Sequence, residues 1–252
     1  MTAQTSEPNK LLALGERLRE NPDTILLSIP VLGLGIILFS LTEDKENLAG
    51  AYGHLGLAFR LYHKHHWQSP VLLKIAYWLL SQSARINAGL GQPTVRMVMG
   101  GISSDLGNYS QAQKDYELGI QMAKGLKDSW QAAFIASHLG RLETKTGNLV
   151  GAKKNLDDSL KILSAAVKKD SSPRLHIWLS NTEIGLSEWF LAAGDKIQAK
   201  TWADKVSARA EKYDLKTRKL DAANLLAKIS TPIVFVVSTG LKLALASLWL
   251  QK

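Results

Sequence analysis

The sequence predicts an all-α fold: a solenoid of about four helical hairpins and a capping helix, preceded by a transmembrane helix. Three observations carry that reading. Small residues, Gly-Asn turns and alanines recur in register along residues 42–228. Long strand-like alternation is absent from that stretch. A charge-free run of 18 residues, TILLSIPVLGLGIILFSL, stands at 24–41.

The N-terminal lead, residues 1–23, holds Leu11, Leu14 and Leu18 at spacings of three and four, the mark of a short amphipathic helix. Asn21–Pro22 ends it, because the residue before a proline avoids helical backbone. As a helix, the run at 24–41 would be roughly 27 Å long, close to the ~30 Å hydrocarbon core of a bilayer. Pro30, Gly33 and Gly35 weaken a helix in water but are tolerated in lipid. A buried helix of a soluble fold is the competing reading. The segment 229–252 is a second apolar stretch, broken by Pro232, Gly240 and Lys242. It reads as a second membrane element or as an interface with the first. Lys10, Arg17 and Arg19 place the N-terminus in the cytoplasm, while Lys216, Arg218, Lys219 and Lys228 argue the opposite if the last stretch spans.

Between these ends, small residues mark the first helix of each hairpin: Leu55–Gly56, Met99–Gly100, Leu139–Gly140 and Leu186–Ser187. In the last three the turn follows at Gly107–Asn108, Gly147–Asn148 and Gly194–Asp195, and an alanine follows at Ala112, Ala152 and Ala199. The small residue lets the second helix approach. Glycine supplies the left-handed turn. The alanine sits at the crossing point, and Tyr116, Leu156 or Ala203 lies four positions further on. The first hairpin lacks the Gly-Asn turn and carries His63–Lys64–His65–His66–Trp67–Gln68–Ser69–Pro70 instead. Ser69 and Pro70 open its second helix. Asp170–Ser171–Ser172–Pro173 separates two hairpins, and Leu215–Lys228 reads as a basic capping helix.

This pattern resembles the tetratricopeptide repeat family, with a small residue, an alanine and a bulky residue in fixed register. The markers here are 44, 40 and 47 residues apart. The resemblance is therefore to longer-period members. It implies a concave face lined by the first helices, where a protein or peptide partner binds. On the family's register that groove takes Arg60, Met97, Ser104, Ser137, Arg141, Asn181 and Glu188, with His54 and His138 at its rim. The lysine and asparagine clamp by which some members hold a carboxyl terminus is missing.

Charge adds a partner class. The formal net charge is +9, and residues 42–228 hold 26 Lys and Arg against 18 Asp and Glu. That balance suits an acidic partner or an anionic membrane face. Nucleic acid is not favoured, because the positive charges are scattered without interleaved aromatics. The chain has no cysteine, which excludes disulfides and thiolate metal sites. The histidines at 63, 65 and 66 do not follow a ligand spacing, so no metal or other cofactor is expected. Phosphate loops, nucleophile elbows and HExxH are absent, and the expectation is a protein without catalysis. The combined reading is a membrane-tethered scaffold that serves as an assembly factor or subunit of a membrane complex. The alternative is a soluble regulator that binds a peptide or nucleic acid, with its apolar ends folded into a helical subdomain.

Overall fold

Gly107, Gly147 and Gly194 turn the chain with φ of 81°, 89° and 87°, the left-handed region that a side chain disfavours. The asparagine or aspartate that follows each one starts the next helix. Asn108, Asn148 and Asp195 accept a hydrogen bond from the backbone N–H three residues on, at Gln111, Gly151 and Gln198. Asp44 and Asp128 cap in the same way at the starts of other helices. Two residues thus both stop one helix and begin another.

The computed structural model describes residues 7–86 and 92–231. These form α1 (Glu7–Arg19), α2 (Ile25–Leu41), α3 (Lys45–His65), α4 (Pro70–Ile86), α5 (Gln92–Asp105) and α6 (Tyr109–Gly125). They continue with α7 (Ser129–Thr146), α8 (Leu149–Lys169), α9 (Pro173–Ala192), α10 (Lys196–Lys212) and α11 (Lys216–Ser230). A short 3-10 turn, Pro22–Thr24, joins α1 to α2. Each odd-numbered helix up to α9 pairs with the even-numbered helix that follows, and α11 closes the series on α10. The odd-numbered helices also touch one another in succession, so they line the inner side of the solenoid.

Close approach within a hairpin follows one rule. A Cβ on Gly140 would lie 2.9 Å from Leu156 Cγ and 3.1 Å from the Ala152 carbonyl oxygen. Gly100 meets Tyr116 and the Ala112 carbonyl, and Gly56 meets Leu80 and the Ala76 carbonyl, at nearly the same distances. In the α9–α10 hairpin Ser187 replaces the glycine and donates to the Ala199 carbonyl at 2.6 Å. A second crossing lies deeper. Ser159 donates to the Ala133 carbonyl, Ser83 donates to the Ala49 carbonyl, and Gly119 abuts the Pro93 carbonyl. Burying a large apolar side chain at such a crossing stabilises by about 2 kcal/mol, and Leu156 and Leu163 are fully buried.

The N-terminus departs from the expected layout. The amphipathic lead and the apolar run at 24–41 form a hairpin of the same kind, α1 against α2. A Cβ on Gly15 would collide with Leu32. One face of α2, formed by Ile25, Ser28, Leu32, Gly35 and Phe39, is buried, and α2 packs on both α1 and α3. Leu32 joins Leu55, Ala58 and Leu79 in one apolar cluster. Among the described residues there are therefore five hairpins and a capping helix, against the four expected. Most of the second apolar stretch, residues 232–252, lies outside the described residues; Ile229 at its start belongs to α11 and is buried.

Candidate partner-binding surface

The family register places nine side chains on the inner surface, and the structure divides them. Met97 is buried in the main core, at 7% exposure. Ser137 and Asn181 are buried between α7 and α9, where Asn181 Nδ2 donates to Ser137 Oγ at 2.9 Å. These three are packing residues here, because neighbouring inner helices pack too closely to leave their side chains free. His54 is also taken: its ring lies between Arg19 and Glu16 of α1, which covers that part of the groove. The bond to His54 holds the Glu16 carboxyl below its usual range.

The other five face the inner surface. Arg141 on α7 grips Glu188 on α9 with two bonds of 2.7 and 2.8 Å and donates a third to Asn181 Oδ1 at 2.7 Å. A Cβ on Gly185 would meet the Arg141 stem at 2.8 Å, so a glycine makes room for the arginine. Arg60 on α3 bonds Asp105 at the end of α5 at 3.1 Å, and Gly101 makes room for it in the same way. Ser104 presents its carbonyl to Lys145 Nζ at 3.2 Å. His138 stacks against Tyr116 and meets Phe134 edge-on. Burial, with the Arg141 and Arg60 charges, holds its imidazole well below the usual pKa. The ring is therefore neutral at pH 7. Its Nε2 is buried without a hydrogen-bond partner among the described residues.

The register missed a second group. Lys64 at the end of α3 bonds Asp221 on α11 at 2.6 Å. Arg218, one turn earlier on α11, holds the same carboxylate at 2.8 Å. Desolvation by the surrounding protein disfavours both charges of the Lys64–Asp221 pair, although the Lys64 side chain stays half exposed and Asp221 is buried. It lowers the Lys64 ammonium below its usual value. At Asp221 it is outweighed by Arg218 and Lys64, which hold the carboxyl at about 2. His65 is lowered to about 4 by burial and by the Lys64 charge beside it. The signal that could have found this group is the length of the α3–α4 hairpin. Gly56 precedes Ala76 by eight residues more than Gly140 precedes Ala152. Without a Gly-Asn turn α3 runs on to His65, and the added turn carries Lys64 and His65 to the far end of the solenoid.

The charges of Arg141, Arg60, Arg218 and Lys64 all act against protonation of His138. They face Asp105, Asp221 and Glu188. The arrangement can hold a ligand bearing negative charge or carbonyl oxygens. The histidines do not converge: His63 bonds the Ser69 backbone and His66 the Pro22 carbonyl. Among the described residues no group of three or more His, Asp or Glu is placed to hold a metal ion.

A different surface lies on the outside. The uncharged helix α2, with its short 3-10 lead-in, has a mean hydropathy of 2.4, and only 28% of that span is buried. Leu26, Leu27, Leu34, Ile37 and Leu41 are exposed on it. On α4, Val71, Ile75 and Trp78 are exposed, as is Trp67 in the preceding loop.

Helix pairs stacked with an inner and an outer layer define an α-solenoid of the tetratricopeptide type. Solved structures share that fold. One is a set of nearly identical TPR-like repeats from a Podosopora anserina protein assigned as a kinesin light chain: 14% identity, TM-score 0.56, covering 84% of this chain and 99% of that one. Another is a Rap protein complexed with competence and sporulation factor: 15% identity, TM-score 0.53, covering 90% of this chain and 66% of that one. BtubC from P. vanneervenii matches at 16% identity and TM-score 0.50, over 83% of this chain and 93% of its own. No family model matches the sequence, and neither does any curated protein.

Proposed function

We propose that the protein is a non-catalytic scaffold that holds a protein or peptide partner on its inner surface and keeps it at a membrane. One observation carries the partner reading: Arg60, Lys64, Arg141 and Arg218 each sit in an ion pair, three of which bridge separate helices, and the inner helices also carry a His138 Nε2 that has no hydrogen-bond partner among the described residues. A Rap protein, which shares the fold, is complexed with a factor, and a stack of hairpins offers a continuous surface for such a partner. The exposed side of α2, continued by Val71, Ile75 and Trp78 on α4, supports the membrane reading. In this role the protein is an assembly factor or a subunit of a membrane complex, and tethering raises the local concentration of its partner.

The packing of α2 bears on how it meets the membrane. Crossing a bilayer would pull α2 away from Gly15, Leu55 and Leu79. Lying against the bilayer leaves that packing intact and uses only the exposed side. Membranes from cells expressing the whole chain are washed with alkaline carbonate, and what co-purifies in mild detergent is identified. Retention through carbonate supports a span. Release by carbonate from a membrane-bound pool supports surface attachment. A stoichiometric protein companion supports the scaffold. A soluble, solitary chain would reject the membrane role and leave the soluble regulator.

A further inference from the structure

The ends of this solenoid meet. In a linear stack each repeat touches only its neighbours, yet Lys64 on α3 reaches Asp221 on α11 across 157 residues of sequence. A cleft beside this contact is lined from both ends of the chain, by Arg17, Leu18 and Thr24 on one side and by Tyr213, Leu215 and Thr217 on the other. The inner surface is therefore closed across its mouth by an ion pair.

We infer that Asp221 is an internal competitor for an acidic peptide: its carboxylate occupies the two cations, Lys64 and Arg218, that the peptide's carboxylate takes when it binds. The inference rests on the reading of the inner surface as the partner site. Three observations lead to it. Asp105 serves Arg60 and Glu188 serves Arg141, each between neighbouring hairpins, whereas of these three acids Asp221 satisfies two cations and joins α3 to α11. Arg218 Nε, His65 Nε2 and His138 Nε2 are buried and without hydrogen-bond partners among the described residues, so the site has unused polar capacity beside the competitor. Lastly, Asp221 sits on α11, the last helix among the described residues, whose main packing there is on α10 and α9.

Exchange explains why an acid fits. The Arg218–Asp221 pair is largely buried while Lys64 keeps its head near water; a buried ion pair adds little net stability, but removing one partner leaves a costly lone charge. A ligand carboxylate that replaces Asp221 leaves Lys64 and Arg218 paired, while the released Asp221 returns to water. A neutral or basic ligand leaves two cations unpaired and is rejected.

The test uses the whole chain and fluorescein-labelled hexaglutamate, followed by anisotropy at low and at high salt. Because the chain has no cysteine, Gln68→Cys and Lys216→Cys place a pair of spin labels across the mouth. Asp221→Asn is expected to bind hexaglutamate about tenfold tighter than the wild type. Lys64→Gln opens the mouth without tightening binding, since it removes a cation that the ligand uses. Hexaglutamate is expected to lengthen the label distance in the otherwise unaltered chain, a readout that does not depend on how the Asn variant folds. Equal affinity of the wild type and Asp221→Asn, or an unchanged label distance at saturation, overturns the competitor. Failure of every version to bind hexaglutamate overturns the acidic ligand. In either case a stoichiometric companion in the membrane preparation leaves the scaffold reading standing, and its absence removes that separately.

Discussion

Gly140 and Leu156 are in such close contact that a single added carbon on the glycine would lie 2.9 Å from the leucine Cγ. The Ala152 carbonyl stands 3.1 Å from the same point and, being backbone, cannot turn away. Gly140→Ala is expected to cost about 1–3 kcal/mol by overpacking, and Ala152→Leu, at a fully buried position, at least as much. Gly33 is the control, because nothing lies within 4 Å of its added Cβ. Gly33→Ala should stabilise by up to about 1 kcal/mol through helix propensity. Urea unfolding of the three variants checks both signs.

Glu183 and Arg209 make the corresponding test for a buried charge. Glu183 is 3% exposed and accepts two bonds from Arg209, at 3.0 and 2.7 Å, between α9 and α10. Glu183→Gln removes the charge and leaves the guanidinium without its anion, at a cost of about 3 kcal/mol. The double change Glu183→Leu with Arg209→Leu should recover most of that loss, since no lone charge remains. A thermal melt of the single and double variants decides it. A double variant as unstable as the single would show that the pair contributes more than mutual neutralisation.

The turns and crossings tested above were legible because each is local. Gly107, Gly147 and Gly194 sit at positive φ as their dipeptides require, and Ala112, Ala152 and Ala199 fall at the crossings. The α1–α2 hairpin was not legible. Its second helix is apolar on every side, so no 3.6-residue stripe shows which face is buried. Its own crossing, Gly15 with Leu32, is spaced by 17 residues rather than the 16 of Gly140 and Leu156. At the candidate site, Arg60, Arg141 and Glu188 followed from register, because register fixes which helix face turns inward. Met97, Ser137 and Asn181 share that face but are buried, since register carries no information on how closely inner helices pack. The long α3–α4 hairpin signals the reach of Lys64, but its meeting with Asp221 depends on the curvature of the whole stack, which no local pattern encodes.

Stability should fall with pH in two stages. The imidazole of His138 is held well below its usual value by burial and neighbouring arginines, and His65 is lowered to about 4. The unfolded chain therefore takes up protons that the folded chain refuses. This contribution is complete above the unfolded histidine pKa of ~6.5 and is lost as pH falls below it. Asp221 acts later. Its folded pKa of about 2 lies below the ordinary 3.8, so its contribution of about 2 kcal/mol is intact above ~pH 4 and is lost on the way down to ~pH 2. The midpoint of urea unfolding, followed from pH 7 to pH 2, should show both declines. His138→Phe keeps the ring contacts with Tyr116 and Phe134 and should flatten the first stage, and Asp221→Asn the second.

Leu32 and Leu34 separate folding from membrane attachment on one helix. Leu32 is fully buried against α1 and α3, whereas Leu34 is 52% exposed. Leu32→Ala should destabilise by about 2–5 kcal/mol wherever the protein resides. Leu34→Glu together with Ile37→Glu changes only the outer side of α2 and should shift stability in water by no more than about 1 kcal/mol. Those two carboxylates would have to leave water for the protein to stay on lipid, so the doubly substituted chain should no longer float with vesicles of neutral phospholipid. Trp78→Glu on α4 should weaken flotation in the same direction if α2 and α4 meet the bilayer together. Undiminished flotation of the α2 variant would remove α2 as the attachment surface.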